Sequence, residues 1–243
     1  MTEQQYKGFD IETTGLNAPD CEMVSWSIGT VCKIQGMNDN EVDIIQRIKP
    51  CLNEQGLLTF MGGTFYGPGF DFPFLRTRCA ILGVPWPFGG VPHIDIFPII
   101  QKRFDATILY RPELPDMTVE ELKQMMKSRS MVSKAKKKQD YIDTIIGLWE
   151  PDQITDYINE NCELKVKNVT NLKDMYTLLT GDDPGDMRGD MVPRLWRQWK
   201  ETHDDTILYD IQTYNRADCK KVEILWEIIQ GCCPSRDLIP EIL

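Results

Sequence analysis

Residues 9–16 of the chain read FDIETTGL, and this stretch decides how we interpret the fold. Its apolar and acidic residues alternate, which predicts a short buried strand over residues 6–12. Residues two apart in a strand point to the same side, so Asp10 and Glu12 should project from one face. The threonines and the glycine that follow turn the chain away from the end of this strand.

Two carboxylates on one face repel each other unless a positive charge lies between them. A divalent cation supplies that charge, and carboxylate oxygens are hard ligands that suit Mg²⁺ or Mn²⁺. The alternative is a solvated strand end, where Asp and Glu are common. For an isolated pair of acids the solvated end is the better interpretation, so a metal site requires further acids elsewhere in the chain.

Two later segments supply such acids. Asp71 lies in GPGFDFPFL, at the start of a helix predicted over residues 71–82, where its alternative role is to cap the helix. Asp218 lies in YNRAD, four residues after Tyr214, so on a helix the two side chains share a face. A phenol in that position can orient a water molecule. The alternative is that Tyr214 only packs and that Asp218 faces solvent.

Together and in this order, the three segments resemble the motifs of the DEDD, or DnaQ-like, 3′–5′ exonuclease superfamily. The first motif is FDIETTGL, the second is FYGPGFDFPFL at residues 65–75, and the third is YNRAD at residues 214–218. Thr213 stands five residues before Asp218, where the histidine-type branch carries His. The resemblance is therefore to the tyrosine-type (DEDDy) branch, which includes the proofreading domains of family B DNA polymerases. The stretch HIDIFPI at residues 93–99 and the later LWRQW and YNRAD also resemble stand-alone RNase H-like nucleases of this group.

The resemblance implies a 3′–5′ exonuclease that hydrolyses phosphodiester bonds of single-stranded nucleic acid with two Mg²⁺ or Mn²⁺ ions. By this resemblance Asp10 would contact both ions. Glu12 and Asp218 would hold the ion on the side of the attacking water, and Asp71 would act on the other ion. Tyr214 would orient the water rather than serve as the main base.

The resemblance also implies that residues beside the motifs contact the nucleic-acid strand. Tyr66 stands where proofreading domains usually carry an Asn that positions the substrate, and it is the aromatic residue that we single out for base stacking. The substrate contacts expected around the motifs are Thr13, Gly15, Leu16, Tyr66 and Phe70.

Residues 122–139 carry seven basic residues and no acidic one, although the net charge of the whole chain is −10. An acidic protein can bind nucleic acid through a local basic surface. We therefore expect this segment to contact the phosphate backbone, and the alternative is a solvated loop, which is the usual role of a lysine run. The basic residues are Lys123, Lys127, Arg129, Lys134, Lys136, Lys137 and Lys138.

The order of the predicted elements indicates an α/β fold, because strands come first and helices surround and follow them. We predict a mixed five-stranded sheet flanked by helices, RNase H-like by the resemblance, in a single domain over residues 1–243. A helical insertion at about 104–190 precedes the final helix, and helices alone are predicted beyond residue 97. The predicted strands span 6–12, 22–34, 41–49, 57–65 and 92–97, with a hairpin turn at 36–40. The predicted helices span 71–82, 118–128, 140–148, 152–161, 171–179, 191–201 and 205–230.

The composition narrows the class of protein. Eight cysteines without a CxxC pair, together with two histidines, give a structural zinc site little to build on. The sequence shows no signal-peptide pattern and no apolar run of membrane-spanning length. We therefore expect a cytoplasmic protein with free thiols and no membrane partner.

Two other function classes stay open from the sequence. One is an RNase H-like endonuclease acting on an RNA–DNA hybrid, and the other is a non-catalytic nucleic-acid-binding or accessory module on the same fold. DNA is favoured over RNA as the single-stranded substrate only by analogy with proofreading domains, which also suggest a replication or repair protein as partner.

Overall fold

The computed structural model describes residues 5–37, 39–52, 55–63, 69–129, 137–233 and 241–242. The chain divides into two compact units, one formed by Met1–Ala106 with Thr170–Leu243 and the other by Thr107–Val169. The second unit lies inside the range 104–190 that we interpret as an insertion. A single domain that carries this insertion stays a proposal.

A mixed sheet forms the centre of the first unit. In the described residues its strand order is β3-β2-β1-β4-β5-β8, in which β1 pairs antiparallel with β2 and parallel with β4. The predicted α/β fold with a mixed five-stranded sheet is confirmed, and the short β8 adds an antiparallel pair at the edge. The strands of the chain are β1 (Tyr6–Thr13), β2 (Met23–Ile28), β3 (Val31–Ile34), β4 (Gly56–Thr59), β5 (Pro92–Asp95), β6 (Thr107–Tyr110), β7 (Lys165–Asn168) and β8 (Glu241–Ile242).

The helices follow the sequence prediction closely. The helix predicted over 71–82 begins and ends at those residues, and each of the other predicted helices lies within two residues of its expected bounds. The helices in the described residues are α1 (Glu41–Gln46), α2 (Asp71–Leu82), α3 (Ile96–Arg103), α4 (Val119–Ser128), α5 (Lys138–Leu148), α6 (Pro151–Asn161), α7 (Leu172–Thr180), α8 (Val192–Thr202) and α9 (Asp205–Cys232).

Four predictions about the first hundred residues differ from the structure. The strand predicted over 57–65 ends at Thr59, and the strand predicted over 92–97 ends at Asp95, where α3 follows. The other two concern the segments 22–34 and 41–49. The segment 22–34 is a hairpin that turns at Gly29, whose φ of +56° suits glycine, and not one strand that turns at 36–40. The segment 41–49, predicted as a strand, begins with α1. Asn40 caps this helix by accepting a hydrogen bond from the Asp43 backbone N–H, and short apolar runs fit a helix and a strand equally well.

The prediction of helices alone beyond residue 97 is also wrong. In the second unit, β6 pairs antiparallel with β7, which lies more than fifty residues later in the chain. A pairing between such distant segments leaves little local periodicity to read. The helices α4, α5 and α6 of this unit bury an apolar core of their own, which includes Leu122, Met125 and Ile145.

The sheet of the first unit is covered on both faces. Phe9 and Ile11 of β1 face a core that includes Trp26 and Phe72, which α1 and α2 complete. On the other side, α9 packs along β1 and β2. Since residues alternate along a strand, the acidic residues of β1 face α9. Among the described residues, the structure contains no helix with the length and apolar character that a membrane span requires.

Candidate active site

Three carboxylates converge where the end of β1 meets the middle of α9. One oxygen from each of Asp10, Glu12 and Asp218 lies within 4.8 Å of the corresponding oxygens of the other two. Glu12 and Asp218 each keep only 6% of their surface exposed, and Asp10 is half-buried. Residues more than two hundred positions apart thus form one compact set of oxygen ligands.

A close contact between β1 and α9 places Asp218 beside the β1 acids. A β-carbon on Gly8 would lie 2.3 Å from the carbonyl oxygen of Cys219, a distance that only glycine permits. The Gly8 backbone N–H also donates to Glu223 Oε1 at 3.1 Å. Glycine at position 8 therefore allows α9 to contact β1 at Cys219, the residue that follows Asp218.

Asp71, at the start of α2, is not one of the three carboxylates whose oxygens converge, but its charge acts on Asp10 and Glu12. The helix begins at Asp71 and Phe70 occupies the N-cap position, so Asp71 is not the capping residue that the alternative interpretation proposed. Burial raises the pKa of Asp71 well above its usual value, and the charges of Asp95 and Asp218 raise it further. Asp71 is therefore close enough for its charge to interact with those of the three converging carboxylates.

The start of α2 is held in place by Asp95, the last residue of β5. Its carboxylate accepts hydrogen bonds from the backbone N–H groups of Met61, Gly63 and Phe97, at 3.0–3.2 Å. The Phe72 backbone N–H in turn donates to the Gly62 carbonyl at 2.9 Å. Asp95 thereby fixes the loop against which Asp71 is positioned.

Burial and the closeness of the carboxylates to one another disfavour the ionised forms of Asp10 and Glu12. Burial is the largest cause that raises the pKa of Asp10 and of Glu12 well above the usual carboxyl range. The neighbouring carboxylates raise these pKa values further, since like charges at close range disfavour ionisation. A divalent cation relieves this repulsion, and a set of carboxylate oxygens fits Mg²⁺ or Mn²⁺.

Two side chains of α9 that sequence reasoning missed already contact the acids. Asn215 is fully buried and its Nδ2 donates to Asp10 Oδ2 at 2.6 Å. The Nζ of Lys221 is 2.6 Å from Asp218 Oδ1. Asn215 lies within the YNRAD motif, and Lys221 follows Asp218 by three residues on the same helical face, so the helical period was an available signal.

Tyr214 faces the cluster from one turn earlier in α9. Burial is the largest cause that raises the pKa of its phenol, followed by the charges of Asp218, Glu12 and Asp10. The Nζ atoms of Lys173 and Lys221 each lie 5.9 Å from the centre of its ring. A phenol with a raised pKa stays protonated near neutral pH, so Tyr214 can donate a hydrogen bond but is a poor base.

The segment before α8 borders the same region. A β-carbon on Gly189 would lie 3.6 Å from the Tyr214 hydroxyl and 3.8 Å from Glu12 Oε2, so the backbone at this point lies close to the acids. Beside it is a cavity of about 480 Å³ that includes Tyr214 and Lys221 in its lining and whose other walls are largely apolar. Sequence reasoning did not identify this wall, which carries no recognisable motif.

The residues expected to contact substrate around the first two motifs differ in their surroundings. Leu16 is 85% exposed, whereas Thr13 is buried and its hydroxyl donates to the Gly15 carbonyl at 2.8 Å. Phe70 is half-buried, and its ring centre lies 5.3 Å from that of Phe74. Tyr66 lies outside the described residues.

The basic segment belongs to the second unit. Lys137 and Lys138 are exposed, and Lys138 Nζ donates to the Pro115 carbonyl. Arg129 lies over the ring of Trp149, with its guanidinium carbon 4.5 Å from the ring centre. Lys134 and Lys136 lie outside the described residues.

A model of the RNase H superfamily matches residues 124–230. This range contains Tyr214 and Asp218 but not the acids of β1 and α2, so the similarity and the acid cluster are separate observations. A comparison with curated proteins found no match to the chain. The mixed sheet and this match agree on an α/β fold consistent with the RNase H-like class. Together with the acid cluster they indicate a metal-dependent hydrolase of the nuclease type, which acts on nucleic acid.

Proposed function

We propose that this protein is a metal-dependent 3′–5′ exonuclease that degrades single-stranded nucleic acid, with DNA as the favoured substrate. The observation that carries the proposal is the convergence of Asp10, Glu12 and Asp218, with Tyr214 on the same side of α9. These residue types occur in the order and combination that resemble the tyrosine-type exonucleases.

Asp10, Glu12 and Asp218 would hold one divalent ion, Mg²⁺ or Mn²⁺, and Asp71 with Asp10 would serve a second. Oxygens of Asp10, Glu12 and Asp218 lie within 4.8 Å of one another, as a cation site built from carboxylates requires, and Asp71 is assigned to the second ion by the resemblance. The bound ions would supply positive charge to the scissile phosphate and make water a better nucleophile.

Two other side chains of α9, those of Tyr214 and Asn215, would position a water molecule and Asp10 respectively. The Tyr214 hydroxyl keeps its proton and would hold a water molecule by donating or accepting a hydrogen bond, without removing a proton from it. The Asn215 amide holds Asp10 in one orientation, since its Nδ2 donates at 2.6 Å. Both residues therefore pre-organise the site before a substrate enters.

The strand would be held on two sides of the acids. Leu16 is 85% exposed at the end of the first motif, where an apolar side chain can pack against a base. The largely apolar cavity beside Tyr214 has room for a terminal nucleotide. We further propose that the basic segment around Lys137 and Lys138 binds phosphates, with a strength that depends on salt.

A cleavage assay tests the proposed function directly. Labelled single-stranded DNA and RNA and an RNA–DNA hybrid would be incubated with Mn²⁺, Mg²⁺ or a chelator, each with a free or a blocked 3′ end. We expect products that shorten stepwise from a free 3′ end and that disappear with chelator and in Asp10→Ala.

Three other outcomes would replace the proposal. Cleavage of blocked substrates would identify an endonuclease, and cleavage restricted to the hybrid would identify an enzyme of the RNase H type. Binding of metal and nucleic acid without any cleavage would identify an accessory module.

A further inference from the structure

The acid cluster contains a cation that belongs to the protein. Lys221 keeps 6% of its surface exposed, and its Nζ lies 2.6 Å from Asp218 Oδ1. The preceding residue of the same helix, Lys220, is exposed to solvent as lysines usually are. A lysine is rarely buried unless it is paired, so the pairing with Asp218 accounts for its position.

The partner of this lysine is one of the three carboxylates that would hold a metal ion. Asp218 has two oxygens, and Lys221 occupies Oδ1. A divalent ion bound by Asp10, Glu12 and Asp218 would therefore lie close to an ammonium group, and two cations that share one carboxylate repel each other. The same ammonium offsets part of the repulsion among the acids.

A second lysine near Tyr214, Lys173, is bound to a backbone carbonyl and not to a carboxylate of the cluster. Lys173 also lies 5.9 Å from the ring centre of Tyr214, but its Nζ donates to the Gly185 carbonyl at 2.6 Å. The hydrogen bond to a carbonyl anchors Lys173 to the loop before α8. Of these two lysines, Lys221 is the one placed directly on a carboxylate of the cluster.

We propose that Lys221 is a built-in counter-cation that neutralises Asp218 in the metal-free protein and weakens the binding of divalent ions at the cluster. The inference rests on the proposed function in one respect, namely that Asp10, Glu12 and Asp218 hold the ion. Lys221 acts through Asp218 and is therefore a positioning residue. Lys221 thereby stabilises the folded protein when no metal is bound. It also lets a bound ion dissociate more readily.

The test uses Lys221→Met, which keeps the length of the side chain and removes its charge. We expect Mn²⁺ alone, titrated by calorimetry into the full chain, to bind about tenfold more tightly or better, because the competing charge is gone. We expect the midpoint of thermal unfolding in chelator to fall by about 6 °C or more, because Asp218 becomes an unpaired buried charge.

The two opposite changes distinguish this proposal from a packing role. A lysine needed only for packing would weaken both the fold and metal binding when removed. Lys220→Met, the same substitution at the adjacent exposed position, should leave both quantities unchanged, and Lys221→Arg should keep Mn²⁺ affinity within about threefold of the natural protein. If Lys221→Met does not fold, Lys221→Gln, which can still hydrogen-bond to Asp218, should show the same tightening.

The outcomes for this inference are separable from those for the proposed function. Weaker or unchanged Mn²⁺ binding in Lys221→Met and Lys221→Gln overturns the role of Lys221, even if the natural protein is an exonuclease. Tighter Mn²⁺ binding in both variants supports the role of Lys221, even if the cleavage assay shows no nuclease. A natural protein that binds no Mn²⁺ at all overturns the inference.

Discussion

The Gly8 backbone in β1 lies so close to Cys219 in α9 that a β-carbon on Gly8 would be 2.3 Å from the Cys219 carbonyl oxygen. This contact sets the distance between the strand that carries two of the acids and the helix that carries the third. Asp10 is two residues beyond Gly8, and Asp218 immediately precedes Cys219. The geometry of the candidate site therefore depends on a residue that has no side chain.

Gly8→Ala should lower the free energy of unfolding by about 1–3 kcal/mol, because the new methyl group forces β1 and α9 apart. Mn²⁺ affinity should fall with it, since Asp218 moves away from Asp10. Urea unfolding and Mn²⁺ calorimetry measure the two effects. Gly231→Ala in the same helix is the control, because nothing lies within 4 Å of its β-carbon, and a full effect there or none at Gly8 would contradict the argument.

Asp10→Asn and Tyr214→Phe should differ widely in their effect on cleavage. Asp10 belongs to the set of ligand oxygens, so its loss should lower kcat/KM by about a thousandfold or more. Tyr214 keeps its proton and would only orient a water molecule, so its loss should cost about ten- to a hundredfold. Steady-state kinetics on single-stranded DNA measures both, and similar losses would refute the assigned roles.

The stabilisation that Mn²⁺ confers should increase with pH. Burial and neighbouring carboxylates raise the pKa of Asp10 and of Glu12 above the usual carboxyl value of about 4. The folded metal-free protein therefore binds more protons than the unfolded chain, and the stability that these groups contribute is lost as pH rises through the raised pKa values. A bound ion replaces those protons, so its advantage grows over the same range.

Thermal unfolding in Mn²⁺ and in chelator, compared between about pH 5 and about pH 8, measures this dependence. The difference between the two unfolding midpoints should widen towards the higher pH. In Glu12→Gln, which removes one of the titrating groups, it should widen less. A difference that stays constant with pH in the natural protein would show that proton and metal do not compete at the cluster.

Leu16→Ala should reduce activity without reducing stability. Leu16 is 85% exposed, so its removal leaves no cavity, and its proposed contact is with a substrate base. We expect kcat/KM on single-stranded DNA to fall about tenfold, with the unfolding midpoint unchanged. Ile81→Ala is the matched control, since Ile81 is an exposed apolar residue on α2, and an equal loss of activity there would argue against a specific contact.

Neutralising the lysine run should change the salt dependence of binding to single-stranded DNA. If Lys134, Lys136, Lys137 and Lys138 contact phosphates, replacing all four by Gln should reduce the slope of log affinity against log salt by about 3. Fluorescence anisotropy at several salt concentrations measures this slope. Lys49→Gln with Lys102→Gln, at exposed positions of the other unit, should leave it unchanged. An unaltered slope in the fourfold variant would favour the solvated loop.

The parts of the fold that local sequence determines were predicted from sequence. Apolar–acidic alternation identified β1 and the shared face of Asp10 and Glu12, and the Gly-Pro-Gly break at 67–69 indicated where α2 begins. These signals depend on residues a few positions apart, whose spacing alone sets the direction of a side chain. The same rules failed for 41–49, because a short apolar run fits both the helical and the strand period. The segment begins with a helix, which Asn40 caps.

Only the tertiary structure determined what surrounds the acids. Asn215 meets Asp10 across 205 positions of sequence, and Asp95 reaches the loop before α2 from the next strand. Lys221 could be placed near Asp218 by helical spacing, but its burial depends on α9 lying against β1. Contacts of this kind follow from packing between distant elements, which no local pattern encodes. The sequence by itself therefore determined the acids, and the packing of α9 on β1 determined their electrostatic environment.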